Sequence, residues 1–219
     1  SIDWIFHGAY SYAAVAERRG FFRDAGVNAT VSRGFGSARV PIDISAGTVD
    51  IATCDPTPLM RFMSMTPDND LLCVGLVWDQ PPHAATVRAD GPIRTFRDLA
   101  GKTLAAPEFD GGRQVFPVAA RLNGLDPASI NWLSVSPELR EPMLVQRRAD
   151  GITGFVTSTA LSLKALGMDL PAQRIFRYRE HGLDFFYGSV ILTTRTFAQR
   201  NPEAVRGTVA ALLKGLKFA

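Results

Sequence analysis

The stretch Arg33-Gly34-Phe35-Gly36-Ser37-Ala38-Arg39-Val40-Pro41-Ile42-Asp43-Ile44-Ser45-Ala46-Gly47-Thr48-Val49-Asp50-Ile51-Ala52-Thr53-Cys54-Asp55-Pro56-Thr57-Pro58 decides the fold. It reads as a glycine loop, a helix, a short break, a strand and a second polar loop. Gly34 and Gly36 let the backbone bend where a Cβ would clash. Ser37 is a good helix N-cap and Gly47 a good stop. Val49 to Thr53 has the pattern of a short buried strand, which Cys54-Asp55-Pro56 breaks. Two such loops at the carboxyl ends of neighbouring parallel strands face one crevice, the usual ligand position in open α/β sheets. The free N–H groups of a helix starting at Ser37 suit an anionic or strongly polar ligand group.

Outward from this stretch the alternation continues. Ser1–Phe6 reads as a strand, His7–Tyr10 as a loop, Ser11–Arg19 as a helix and Val27–Ser32 as a strand. Pro56–Met65 reads as a helix with proline in its first turn. Leu71–Trp78 is an apolar strand long enough for a central position, with Cys73 as a buried thiol. After a break at Asp79–His83, strands and helices alternate again from Ala84 to Tyr178. Pro117 and Pro142 fall inside two of these helices and should kink or shorten them. Tyr187–Thr194 reads as a returning strand, and Asn201-Pro202 opens a final helix. The chain is therefore α/β, with mostly parallel sheets flanked by helices. It divides into lobe 1, residues 1–82 with 188–219, and lobe 2, residues 83–187.

Of 219 residues, 46% are hydrophobic and 21% charged, ordinary for a globular protein. The net charge of +3 is too small, and its four lysines and twenty arginines too scattered, for a nucleic-acid partner. No apolar run approaches a membrane span of about 20 residues. No leader is visible before the first expected strand. Two cysteines make no disulfide scaffold.

Five segments stand out: Ala16–Val27, with Gly20-Phe21-Phe22 and Gly26-Val27; Ala46-Gly47-Thr48-Val49-Asp50; Asp98–Leu104; Arg140–Leu144 followed by Ala149–Phe155; and Phe197–Glu203. In this order they resemble type II periplasmic solute-binding proteins of the nitrate/sulfonate/taurine and thiamine-pyrimidine-precursor group of ABC importers. The resemblance implies two lobes joined by a two-strand hinge. It also implies a small-molecule ligand held between the lobes, hinge closure and docking on a membrane permease. It implies a monomer in the periplasm or an equivalent extracytoplasmic space, with no cofactor.

Candidate ligand residues follow from position. Trp4 either stacks on a ring or packs the core, and Ile5-Phe6-His7-Gly8 departs from the pyrimidine binders. His7 and Tyr10 lie in the first strand–helix loop. Gly36, Ser37 and Ala38 offer backbone N–H groups. Asp55 and Thr57 end a buried strand, though Asp55 equally suits a helix cap. In the second lobe, Asp110, Gly111 and Arg113 repeat the glycine-loop-plus-helix logic, with Arg113 able to pair with a carboxylate or sulfonate. Phe155 ends the next strand, and Tyr187, beside Phe186, lies on the return crossing. No Gly-x-Ser-x-Gly elbow is present. His7, His83 and His181 have no metal-type spacing with one another or with cysteine. The sequence thus favours a binding protein. The rivals are a pyrimidine-precursor enzyme on the same fold and the sensing module of a regulator.

Overall fold

The computed structural model describes residues 1–185 and 187–219. The chain forms two compact units, Ser1–Asp79 with Tyr187–Ala219, and Gln80–Phe186. Gln80–Pro82 and Tyr187 thus fall in the opposite units from those assigned by sequence. Hydrogen bonds explain the shift at Gln80–Pro82, and one anchors the residue after Tyr187. Pro82 O accepts from Val156 N at 2.7 Å, and Gln80 Oε1 from Arg179 Nη1 at 2.6 Å. On the return, Gly188 N donates to Trp78 O at 2.9 Å.

The first unit contains helices α1 (Ser11–Arg18), α2 (Phe21–Asp24) and α3 (Val40–Ser45), strand β1 (Ala52–Cys54), helix α4 (Pro56–Met65) and strand β2 (Leu71–Trp78). After the second unit come β8 (Ser189–Thr194), α8 (Arg195–Arg200) and α9 (Pro202–Phe218). Its sheet has the order β1-β8-β2, with both neighbours antiparallel to β8. Successive β8 residues serve opposite faces. Ile191 joins Trp4, Tyr10, Tyr12 and Ala211 on one side, while Val190 and Leu192 join Val40, Ile44 and Leu59 on the other.

The second unit contains β3 (His83–Arg88), β4 (Thr103–Ala106), α5 (Gly111–Leu122), β5 (Asn131–Ser134), α6 (Arg140–Val145), β6 (Gly151–Phe155), α7 (Val156–Ala165) and β7 (Gln173–Arg177). Its sheet has the order β5-β4-β6-β3-β7. Strand β4 runs parallel to β5 and β6, and β3 antiparallel to β6 and β7. Helices cover both faces. Leu104 packs with Phe96, Phe116 and Tyr178, and the next residue, Ala105, packs with Leu144, Ile152 and Leu163.

The α/β fold stands, but its sheets are mixed rather than mostly parallel, because the strands nearest the two crossings, β3 and β8, run against their neighbours. Ser1–Phe6 and Val27–Ser32 are not strands. Separate hydrogen bonds hold them instead, among them Ile2 N to Ser32 O and Gly34 N to Trp4 O, each 2.9 Å. The strand expected at Val49–Thr53 is shorter and later. Strand β2 lies at the sheet edge, so Cys73 is exposed rather than buried. Helix α5 continues through Pro117. The helix expected from Ser37 begins only at Val40, with Arg39 as its N-cap and Pro41 in its first turn. Pro41 has no N–H to donate to a preceding turn, which favours this later entry.

Candidate functional site

In the first unit, three chain segments meet at one carboxylate. Asp3 is 2% exposed. Its Oδ2 accepts from the Ser37 hydroxyl and its Oδ1 from Thr53 Oγ1 at 3.1 Å, and the Tyr10 hydroxyl also bonds it. The Asp3 backbone contributes as well: its N–H donates to Thr53 Oγ1 at 3.2 Å, and its carbonyl accepts from Gly36 N at 2.8 Å. Burial pushes the Asp3 carboxyl up, against the pull of the Ser37 and Tyr10 hydroxyls. Burial likewise pushes the neighbouring Cys54 thiol up, so this cysteine is a poor nucleophile.

Sequence-assigned residues surround this network. Trp4 and Tyr10 are buried in the core, with Tyr10 packed against Trp78 at 5.9 Å between ring centroids. His7 Nδ1 accepts from Ala9 N at 3.2 Å, capping the turn that carries Tyr10. Gly36 has φ 128°, open to a residue without a Cβ. Ser37 is buried, and Ala38 half-buried on the turn before α3. Asp55 is fully buried and caps α4, accepting from Thr57 N at 2.7 Å. The Thr57 hydroxyl is turned inward with no hydrogen-bond partner among the described residues.

The second unit repeats the device with a cation added. Asp110, 3% exposed, caps α5 by accepting from Arg113 N at 2.8 Å. It also accepts from Thr153 Oγ1 at 3.0 Å and pairs with Arg140 Nη1 at 3.2 Å. Arg140 Nη2 reaches Glu141 Oε1 at 2.6 Å. Burial pushes Asp110 up, and the Arg140 charge, the Arg113 amide and the Thr153 hydroxyl pull it back.

Space for the guanidinium comes from Gly154, where a Cβ would run into Arg140. A Cβ on Gly112 would in turn lie 2.6 Å from Gly154 N, so the start of α5 rests on β6. Gly111 is buried at this start. Arg113 reaches over Trp132, 4.8 Å from the ring centroid, and donates to Ser134 Oγ at 2.9 Å and Ala106 O at 3.1 Å. It therefore stands at the carboxyl ends of β4 and β5. Phe155 is buried edge-on to His83 at 5.1 Å.

Tyr187 is exposed, and Phe186 lies outside the described residues. Within the first unit the structure gathers Trp4, His7, Tyr10, Gly36, Ser37, Asp55 and Thr57 around neighbouring loops, and within the second it gathers Asp110, Gly111, Arg113 and Phe155. A cavity of about 440 Å³ in the first unit lies between Ser1–Ile2, residues 27–32, 48–53 and α9, and meets the Asp3 network at Thr53. None of the sequence-assigned residues lines it.

Sequence reasoning did not assign Asp3, Thr53, Arg140, Glu141 or Thr153 to the site. A signal existed for two of them: Arg140-Glu141 opens one of the family-like segments, and two adjacent charges there require a compensating partner if buried.

Residues 9–219 match the family described as NMT1/THI5 like. The chain belongs to this family. No curated protein sequence matches it. Among solved structures, it is similar to the alkanesulfonate-binding protein SsuA from Xanthomonas axonopodis pv. citri bound to MOPS, at 20% identity and TM-score 0.73 over 94% of this chain and 70% of that one. It is also similar to the periplasmic aliphatic sulphonate binding protein SsuA from Escherichia coli, at 18% identity and TM-score 0.70 over 94% and 69%. A periplasmic binding protein of high arginine specificity from Salmonella typhimurium matches at 16% identity and TM-score 0.60 over 94% and 83%. These similarities show the shared two-lobed α/β fold. Among the described residues, no helix is long and apolar enough to cross a membrane.

Proposed function

We propose that the chain is an extracytoplasmic solute-binding protein of an ABC importer, and that it captures a small polar organic molecule, with sulfonates and carboxylates as the leading classes. The observation that carries this reading is the fold shared over 94% of the chain with the sulfonate-binding protein SsuA. Family membership over residues 9–219 agrees with it. The proposed contacts in the first unit are the backbone N–H groups of Ser37 and Ala38 and the Thr57 hydroxyl; the Gly36 N–H, expected to face the ligand, instead donates to Asp3 O at 2.8 Å. In the second unit they are the start of α5 at Gly111 and the Arg113 guanidinium, with Tyr187 on the return crossing. The buried side chains of Trp4, Tyr10, Asp55, Asp110 and Phe155 support these loops from beneath.

Capture makes and breaks no covalent bond. A ligand that touches loops of both units lowers the free energy only of the arrangement where both are in reach, and so shifts the population toward it. That arrangement is the one a membrane permease would recognise.

A thermal-shift series with MOPS, short alkanesulfonates, carboxylates and L-arginine tests the reading. A ligand at about 100 times its Kd stabilises the folded chain by about 2.7 kcal/mol. For a chain of this size that raises Tm by several degrees, about 2–4 °C per kcal/mol. Unchanged Tm across all four classes sinks the proposal. The competing reading is turnover of a pyrimidine precursor, since the family includes a biosynthetic member. Recovery of the bound compound unaltered separates capture from turnover.

A further inference from the structure

Asp3 sits third in the chain, yet it bonds the 33–38 loop, the first loop at Tyr10 and the strand that leads into the Asp55 loop. Ser37 and the Gly36 amide bring in the 33–38 loop, Thr53 brings in the strand that leads to Asp55, and Tyr10 brings in the first loop. The second unit uses the same pairing of a buried aspartate with a strand threonine, Asp110 with Thr153. There, however, an arginine locks the carboxylate and the aspartate itself caps the long helix α5. In the first unit Asp3 caps none of the described helices, and Arg33, inside the 33–38 loop, donates from Nε to Gly34 O at 3.3 Å. Helix α3 has only six residues, and its cap position, Arg39, makes no side-chain cap bond. Among the bonds that hold the loop are the backbone pair Gly34 N to Trp4 O and Gly36 N to Asp3 O, the Cys54 thiol to Ser37 O at 3.4 Å, and the Ser37 hydroxyl on the carboxylate.

We propose that Asp3 is a positioning residue, one that holds the 33–38 loop, and hence its backbone N–H groups, in place by acting through Ser37. It does not touch the ligand. A carboxylate is suited to the task because it accepts several hydroxyl and amide donors at once. Hydrogen bonds to a charged acceptor are also the stronger kind. The inference rests on the reading that this loop contacts the ligand, but its test needs no ligand, so the two can fail separately.

The test is amide hydrogen exchange on the unliganded full chain, resolved by residue, in the wild type, Asp3→Ala, Asp3→Asn and Ser37→Ala. Asp3→Ala is expected to speed exchange at Gly34, Gly36 and Ser37 by about tenfold relative to the β2 and α9 amides, which report the unit as a whole. Asp3→Asn keeps the side-chain size and one acceptor oxygen for the Ser37 hydroxyl, and is expected to restore most of the protection. Ser37→Ala removes only the hydroxyl and is expected to loosen the same amides. It keeps the test decisive if Asp3→Ala does not fold. A uniform loss of protection across the unit would assign Asp3 a general core role and overturn the proposal. So would unchanged exchange in the 33–38 loop of either alanine variant.

Discussion

Arg140 is the side chain with most at stake. It is 2% exposed and lies between two carboxylates that are themselves buried, Asp110 and Glu141. Removing one partner of a buried ionic group costs more than the pair contributes, because the remaining charges stay desolvated. Arg140→Met is therefore expected to destabilise the chain by about 3–5 kcal/mol. Urea unfolding of the variant measures this, and a loss under about 1 kcal/mol would show that the carboxylates find other compensation. The double variant Arg140→Met with Asp110→Asn should lose less than Arg140→Met alone, since it leaves one fewer bare carboxylate. Gly154 belongs to the same argument, because its missing side chain is the space the guanidinium occupies.

Among the elements, α9 carries the most demanding interface. Its glycines face backbone: a Cβ on Gly207 would lie 2.7 Å from Ala25 O, and one on Gly215 would strike Tyr12 O. Farther along, Phe218 packs edge-on to Phe21 at 6.2 Å, with Arg19 over one ring and Lys214 over the other. Helix propensity alone says that Gly215→Ala should stabilise by about 1 kcal/mol. The packing says the reverse, because α9 would have to move off α1. A net loss of about 1–3 kcal/mol is expected, as for other overpacked interfaces. A higher Tm in this variant would refute the close approach.

The element scale also shows what the sequence made legible. Helix α9 and strand β2 occupy the residues their patterns marked, because Asn201-Pro202 and an eight-residue apolar run are strong local signals. The position of β2 in the sheet was not legible. An apolar run shows that a strand wants covering, not which neighbour covers it, and here β2 is an edge strand with Leu76 exposed. The capping box of Thr95 and Asp98 is a local signal of the same kind, because all its partners lie within four residues. Ser37 was misread as a helix cap because its actual partner, Asp3, is 34 residues away in the chain. The carboxylate networks stayed hidden for the same reason. Asp110, Arg140 and Thr153 converge only through sheet pairing, which no local pattern encodes.

At the scale of the whole molecule, each unit buries its own core, and the chain passes between units only at Asp79–Gln80 and near Tyr187. Phe185 and Tyr187, on either side of the second passage, are 69% and 59% exposed. Brief chymotrypsin treatment is expected to cut first at these two residues, giving a large fragment that ends near 185–187, identifiable by mass spectrometry. First cuts inside β3–β7 or α9 would mean that a unit opens more readily than the connection. If the proposed ligand engages both units, its presence should slow the first cut several-fold, and compounds that fail to raise Tm should leave the rate unchanged.

The guanidinium of Arg113 over Trp132 gives the protein an optical reporter of its own. Indole emission responds to a nearby cation, so any anion that draws Arg113 toward itself changes the light from that tryptophan without a dye or a tag. The chain has three tryptophans, and the other two, Trp4 and Trp78, belong to the first unit. Replacing both with phenylalanine would leave one lamp, lit from the second unit alone, by which candidate solutes could be sorted in a cuvette.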